Sequence, residues 1–186
     1  GSEMCIRDRH MYSAWLMAFL LLPETCDESL SYDKQAVMRL LLIHDLGERV
    51  TGDIPRPKKQ LAPDTYAREE DRAMTQLLLK ETYPNVGRMD WEYQLWKEWA
   101  EDSSFNAKVA KEIDTLQAAY QLCLYLLNYR KNFSEEKIVS WLSECVELKT
   151  SVCRTIFRQL ILENPAFESL HLGDLVSFPD SSHACQ

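Results

Sequence analysis

Apolar residues recur every three or four positions along most of this chain, the spacing that places them on one face of an α-helix. Asp33, Asp64 and Ser134 precede such segments and are residue types that cap helix N-termini. No stretch alternates between polar and apolar residues for long enough to predict a strand. The predicted helices span residues 10–22, 33–44, 64–83, 89–100, 104–129 and 134–163. The pattern therefore predicts an all-α fold: a single helical bundle of about six helices.

The two ends of the chain differ from this pattern. Gly1 and Ser2 are typical of a tag-cleavage remnant, and residues 4–9 resemble translated sequencing-adapter peptide. At the other end, Pro165 is expected to end the last helix, since proline cannot continue it. We therefore predict a non-native segment over residues 1–9, one helical domain over 10–165 and a weakly structured tail over 166–186. The segment 51–63, which has three prolines, is predicted to be a loop.

Composition limits the classes of function. The chain has 21 basic and 29 acidic residues, a formal net charge of -8, which disfavours binding to duplex nucleic acid. Its longest apolar run, residues 14–23, is far shorter than the ~20 residues that span a bilayer, so no membrane association is expected. The six cysteines include no C-x-x-C pair and are typical of reduced thiols. We expect a cytoplasmic protein.

Residues 40–53 carry the strongest chemical signal. His44 and Asp45 follow an apolar run directly, Glu48 comes four residues after the histidine, and Asp53 follows a glycine. An unpaired buried charge is expensive, so carboxylates at the end of an apolar helix need a compensating partner. A divalent cation neutralises them most directly, and the stretch therefore predicts a metal site.

Two further ligands would be needed to complete such a site. His10 begins the first predicted helix on its apolar stripe, and Asp114 lies between apolar neighbours in the long helix over 104–129. Each has an ordinary alternative, because a lone histidine is often a core-edge residue and an aspartate on an amphipathic helix is often solvated. Spacing alone leaves both alternatives open.

Together these residues resemble the motif set of the HD-domain metal-dependent phosphohydrolases. That set is a single histidine (His10), a histidine–aspartate pair (His44-Asp45) and a distant aspartate (Asp114). The stretch L-I-H-D-L-G-E-R-V-T-G-D-I-P over 42–55 and the segment A-K-V-A-K-E-I-D-T-L over 107–116 are most similar to the 5'-nucleotidase group of that superfamily. One position departs from the family, which usually has a glutamate where Arg9 stands here.

The resemblance implies a role for each residue. His10, His44, Asp45 and Asp114 would bind one divalent ion, for which Mn²⁺, Co²⁺, Fe²⁺ or Zn²⁺ suits the nitrogen and oxygen donors. The two-metal HD enzymes need further histidines between His44 and Asp114, and none is present. The other implied site residues are Glu48 and Asp53 in catalysis and Lys58 and Lys59 in binding the substrate phosphate.

The function implied by the resemblance is hydrolysis of nucleoside 5'-monophosphates, most of all deoxynucleotides, by a homodimer. One alternative is an HD hydrolase of guanosine tetraphosphate, a group with a Glu-Asp pair after its histidine–aspartate motif. Arg49 follows Glu48 here and counts against it. The other alternative is a catalytically impaired HD fold that acts as a binding or dimerisation module.

Overall fold

A computed structural model describes residues 2–24, 32–52, 54, 59, 61–80 and 89–172, with side chains from residue 8 onward except at 144 and 146. This part of the chain is helical and contains no strand, which confirms the predicted all-α class. Eight α-helices have defined bounds, slightly more than the six expected: α1 Ser2–Leu21, α2 Lys34–Ile43, α3 Glu48–Thr51, α4 Pro63–Thr75, α5 Asp90–Glu101, α6 Phe105–Tyr129, α7 Glu135–Val146 and α8 Ser151–Phe157.

The main core lies between α1, α2 and α6. Helix α6 is the central element, because its apolar residues are buried along almost its whole length and α1, α2, α7 and α8 all pack against it. Fully buried side chains from these three helices include Ala14, Val37, Leu41, Ile113 and Leu116. A second, smaller cluster of Met74, Leu78 and Trp96 joins α4 to α5. None of the helices described here is both long and apolar enough to cross a bilayer.

Helix caps follow the sequence in part. Asp33 caps α2, and Ser134 caps α7, as predicted. Asp64 is not a cap, because Pro63 already occupies the first turn of α4, where its fixed φ angle is favourable. Asp64 instead lies within that first turn, where a negative charge is stabilised by the helix dipole.

The predicted loop over 51–63 is only partly correct. Thr51 is the last residue of α3, and Gly52 is its C-cap. Lys59 and Leu61 also have helical backbone. Gly52 has φ 76° and ψ 166°, a conformation open almost only to glycine.

The helix predicted over 134–163 is two helices. The chain turns after α7, and Glu112 of α6 accepts hydrogen bonds from the backbone N–H groups of Lys149 (2.7 Å) and Thr150. The side chain of Thr150 then caps α8 by accepting from Cys153 N. A carboxylate contributed by another helix therefore stabilises a break that local periodicity does not reveal.

The start of the tail also differs from expectation. Pro165–Leu170 forms a 3₁₀ helix capped by Asn164, and Phe167, Leu170 and Leu172 pack into the main core. These apolar side chains give the segment enough buried surface to be ordered. The rest of the predicted tail, residues 173–186, lies outside the described residues.

The cap of α2 generates a stability prediction. Asp33 Oδ1 accepts from the N–H groups of Gln35 (2.8 Å) and Ala36 (3.3 Å). Asp33→Ala should lower the free energy of unfolding by about 0.5–2 kcal/mol, because these groups lose their acceptor. Urea denaturation measures the change. Asp33→Ser, which keeps a capping oxygen, should retain most of the stability, and equal losses in both variants would contradict the assignment.

Candidate metal centre

Three elements bring four ionisable side chains together at one end of the main core. His10 lies on α1 and Asp114 on α6, while His44 and Asp45 lie where α2 ends. The backbone N–H of His44 still donates to Leu40 O, and that of Leu46 then donates to Ile43 O, so the chain tightens and turns away. The pair therefore lies in a turn, with both side chains directed at α1 and α6.

The donor atoms of these residues converge. His10 Nε2 is 2.7 Å and His44 Nε2 is 3.4 Å from Asp114 Oδ1, and His44 Nε2 is 3.2 Å from Asp45 Oδ2. Donor atoms of His10, His44 and Asp45 all lie within 4.8 Å of one another. Metal–ligand bonds of about 2.0–2.2 Å separate neighbouring ligand atoms by roughly 3 Å, so the spacing suits a single ion.

Unsatisfied atoms provide the test of whether a metal fits. His44 Nε2 and Asp114 Oδ1 are enclosed and, apart from the ion-pair contacts inside the cluster itself, have no hydrogen-bond partner in the described structure. Buried polar atoms normally have a hydrogen-bond partner, so two such atoms without one in the same cluster need an explanation. A cation bound between these atoms would satisfy both, and the nitrogen and oxygen donors are the types that bind first-row divalent metals.

Each histidine is also oriented by its other ring nitrogen. His10 Nδ1 lies 2.6 Å from Gln117 Oε1, and His44 Nδ1 lies 3.0 Å from Leu41 O. Because a carbonyl oxygen can only accept, each Nδ1 donates its proton and the neutral tautomer leaves Nε2 with a free lone pair. Metal-ligating histidines typically have such a partner.

The histidines and carboxylates of the cluster shift one another's pKa values. Burial alone would lower the pKa of His44, but Asp114 and Asp45 outweigh it and raise the pKa to about 10. Asp114 also raises the pKa of His10. Burial would raise the pKa of Asp114, yet contact with the two imidazoles lowers it well below its usual range.

A cleft of about 210 Å³ opens beside this cluster. One water needs about 10–15 Å³, so the cleft admits a small molecule. Its walls include His44 and Asp45 from the cluster, Glu70 from α4, and Trp96 and Trp99 from α5. Aromatic walls with a few convergent polar groups are typical of small-molecule sites.

The other predicted site residues fall into two groups. Glu48 and Lys59 line the cleft, with Lys59 Nζ 2.7 Å from Glu70 Oε1 and 3.6 Å from Glu48 Oε1. Burial would lower the pKa of Lys59, but Glu70 and Glu48 raise it. Asp53 and Lys58 lie outside the described residues. Glu48 begins α3 rather than ending a longer helix, so its charge is favourable to the dipole there.

Sequence reasoning missed three residues around the cluster: Gln117, Trp99 and Lys111. Gln117 follows Asp114 by three residues, a helical spacing that could have indicated it. The Trp99 ring lies 4.6 Å from that of His44, and Lys111 Nζ lies 5.7 Å from the Trp99 ring.

Comparison with known proteins assigns the family. Residues 8–154 match the model of the HD domain family. The chain belongs to the HD domain family. It is 32% identical over 118 residues to 5'-deoxynucleotidase HDDC2 of Bos taurus, covering 62% of this chain and 52% of that protein. It is also 25% identical over 132 residues to 5'-deoxynucleotidase hdd1 of Schizosaccharomyces pombe, covering 70% and 61%. This HD chain thus spans about half the length of the HDDC2 relatives it matches.

Two solved structures share the architecture of this HD domain. A conserved hypothetical protein from Pyrococcus furiosus has a TM-score of 0.62 at 23% identity, covering 82% of this chain and 80% of the other. A predicted metal-dependent phosphohydrolase from Magnetospirillum magnetotacticum has a TM-score of 0.56 at 24% identity, covering 84% and 76%. At these identities the likeness shows the fold.

Gln117 gives the prediction specific to this site. Gln117→Leu should weaken Mn²⁺ binding by roughly 10–100-fold, because His10 loses the acceptor that fixes its tautomer. Gln117→Glu, which keeps an acceptor oxygen, should bind Mn²⁺ within a few-fold of wild type. Isothermal titration calorimetry with Mn²⁺ measures both. Unchanged affinity in the leucine variant would mean that Gln117 does not orient a ligand.

Proposed function

We propose that this HD domain hydrolyses the phosphoester of nucleoside 5'-monophosphates, releasing a nucleoside and inorganic phosphate. The observation that carries the proposal is the convergence of four donor side chains beside a cleft that Glu48 also lines. The 5'-deoxynucleotidase names of the relatives support this substrate class and favour deoxynucleotides.

The proposed ligands are His10, His44, Asp45 and Asp114, and the proposed cofactor is one Mn²⁺, Co²⁺, Fe²⁺ or Zn²⁺ ion. When bound, the ion supplies positive charge for a phosphoryl oxygen and makes a nearby water more acidic. The four side chains would bind the ion, and the two carboxylates would balance its charge. Gln117 and the Leu41 carbonyl fix the orientation of the His10 and His44 rings.

Glu48 is the proposed general acid–base. Its carboxylate takes a proton from the attacking water as the new P–O bond forms. The protonated carboxyl then gives that proton to the 5'-oxygen as the phosphoester bond breaks, which yields nucleoside and inorganic phosphate. Two observations support this role. Glu48 lines the same cleft as Asp45, and the ammonium group of Lys59 lies 3.6 Å from Glu48 Oε1. Asp53 is the proposed second catalytic carboxylate. Only its position in the motif over residues 42–55 supports this role.

Lys58 and Lys59 are the proposed cations for the substrate phosphate. A lysine is a point charge on a flexible stem and suits a dianion that must enter and leave. Contact with Glu70 and Glu48 holds the Lys59 ammonium at the cleft wall. The homodimer, the cytoplasmic location and the domain bounds remain predictions.

Two substitutions separate metal binding from proton transfer. Asp45→Ala should lose bound metal and turnover together, because the cluster loses one of its negative ligands. Glu48→Gln should keep the metal and lose turnover by roughly 10²–10⁴-fold, the usual cost of removing a general acid–base group. Metal content by mass spectrometry and phosphate release with Mn²⁺ measure the two effects.

Glu69→Gln is the matched control, because Glu69 is an exposed glutamate of α4 and should leave both readouts at wild-type values. If the Glu48 variant is purified without metal, Glu48 is a ligand and its assignment as a proton-transfer group is wrong.

The number of phosphate groups on the substrate provides a second test. The described cleft contains the carboxylates of Asp45, Glu48 and Glu70, and the whole chain carries a net charge of -8. One divalent ion and a lysine neutralise a single phosphate better than three. We expect faster hydrolysis of deoxynucleoside monophosphates than of triphosphates in an assay of both with Mn²⁺, with inorganic phosphate as product. Pyrophosphate release, from a triphosphate or from guanosine tetraphosphate, would contradict the proposal.

A further inference from the structure

The cleft contains a cation that the motif resemblance does not include. Of the described residues that line it, Lys59 and Lys111 carry ammonium groups. Lys59 enters from the side of α4, whereas Lys111 belongs to α6 and lies on the side of Trp99. The two lysines differ in how far their charge is already neutralised.

Lys59 is held by two carboxylates. Its Nζ lies 2.7 Å from Glu70 Oε1 and 3.6 Å from Glu48 Oε1, and its side chain is 34% exposed. A phosphate that used this ammonium would compete with both glutamates, and one of them is the proposed acid–base group. Lys59 can therefore contact the phosphate only while it also balances these two carboxylates, so a second ammonium group would strengthen the anion site.

Lys111 has a weaker partner. Its Nζ lies 3.4 Å from Asp102 Oδ1, and the Asp102 side chain is 48% exposed. Ion pairs in such exposed positions contribute little free energy, since water screens them and both side chains lose conformational freedom. A phosphate dianion carries twice the charge of Asp102, and it can replace that carboxylate at the ammonium group.

The position of Lys111 suits a ligand at the metal centre. It precedes Asp114 by three residues on α6, so both side chains lie on the same side of the helix. The Trp99 ring is near both the metal centre and this lysine, 4.6 Å from the His44 ring and 5.7 Å from Lys111 Nζ. A cation near an aromatic face is stabilised by the ring quadrupole, so Trp99 can hold the ammonium group towards the cleft.

We propose that Lys111 is an anion-binding residue of this cleft and contacts the phosphate group of the substrate from α6, beside Trp99. The proposal rests on the proposed function for the identity of the substrate. The anion site itself, however, can be tested without turnover. Its chemistry is that of a phosphate dianion bound between the metal centre and one ammonium group.

The experiment titrates inorganic phosphate into the Mn²⁺-loaded protein by calorimetry. Lys111→Gln should weaken phosphate binding by roughly 10–100-fold, the usual range for a lost hydrogen bond to a charged group. Mn²⁺ affinity should stay within about two-fold, because Lys111 is not among the proposed ligands. Lys111→Arg, which keeps the charge, should restore most of the phosphate affinity.

Lys108→Gln is the control, because Lys108 is an exposed lysine one turn earlier on α6 and removes the same charge from the chain. Equal phosphate affinity in the Lys111→Gln and Lys108→Gln proteins would overturn the proposal, and so would an absence of phosphate binding by wild type. In kinetics with a deoxynucleoside monophosphate, Lys111→Gln should raise KM more than it lowers kcat.

The two proposals can fail separately. Phosphate binding that depends on Lys111, in a protein that releases no phosphate from monophosphates, would support the anion site and contradict the proposed function. Hydrolysis of monophosphates with an unchanged KM in the Lys111→Gln protein would overturn the role of Lys111 and leave the proposed function in place.

Discussion

The structure depends on the enclosure of two carboxylates and two imidazoles around one point. Asp114 Oδ1 lies within ion-pair distance of both His10 and His44, and it is shut off from water. Charges in such a place are costly unless they are paired. Because the four groups come from α1, the turn after α2, and α6, their mutual neutralisation requires these helices to pack in one arrangement.

The surrounding residues maintain that arrangement. Gln117 and the Leu41 carbonyl each accept a hydrogen bond from a histidine Nδ1, so both rings present Nε2 to the centre. Trp99 of α5 packs on the His44 ring and lies 5.7 Å from Lys111 Nζ, so it contacts both the cluster and the lysine that lines the cleft. Because Trp99, His44 and Asp45 also line the cleft, the geometry of the cluster and the shape of the cleft depend on one another.

Periodicity predicted the helical class, because helical faces can be read locally. The grouping of His10 with Asp114 was instead implied by the resemblance to the HD-domain phosphohydrolases, because spacing alone left an ordinary alternative for each residue. Contacts between helices could not be predicted in this way. The break before α8 depends on Glu112 of α6 accepting from a distant turn, and the roles of Trp99 and Lys111 depend on how α5 packs against α6. The spacing of apolar residues along one helix shows which of its faces is buried, but not which other helix packs against that face.

The central claim is that this cluster binds a single divalent ion. Anomalous X-ray diffraction from crystals grown with Mn²⁺ tests it most directly, because the signal locates manganese independently of the protein atoms. The account predicts one peak, about 2.0–2.3 Å from His10 Nε2, His44 Nε2 and carboxylate oxygens of Asp45 and Asp114. No peak between these residues, or two peaks sharing them, would contradict the account.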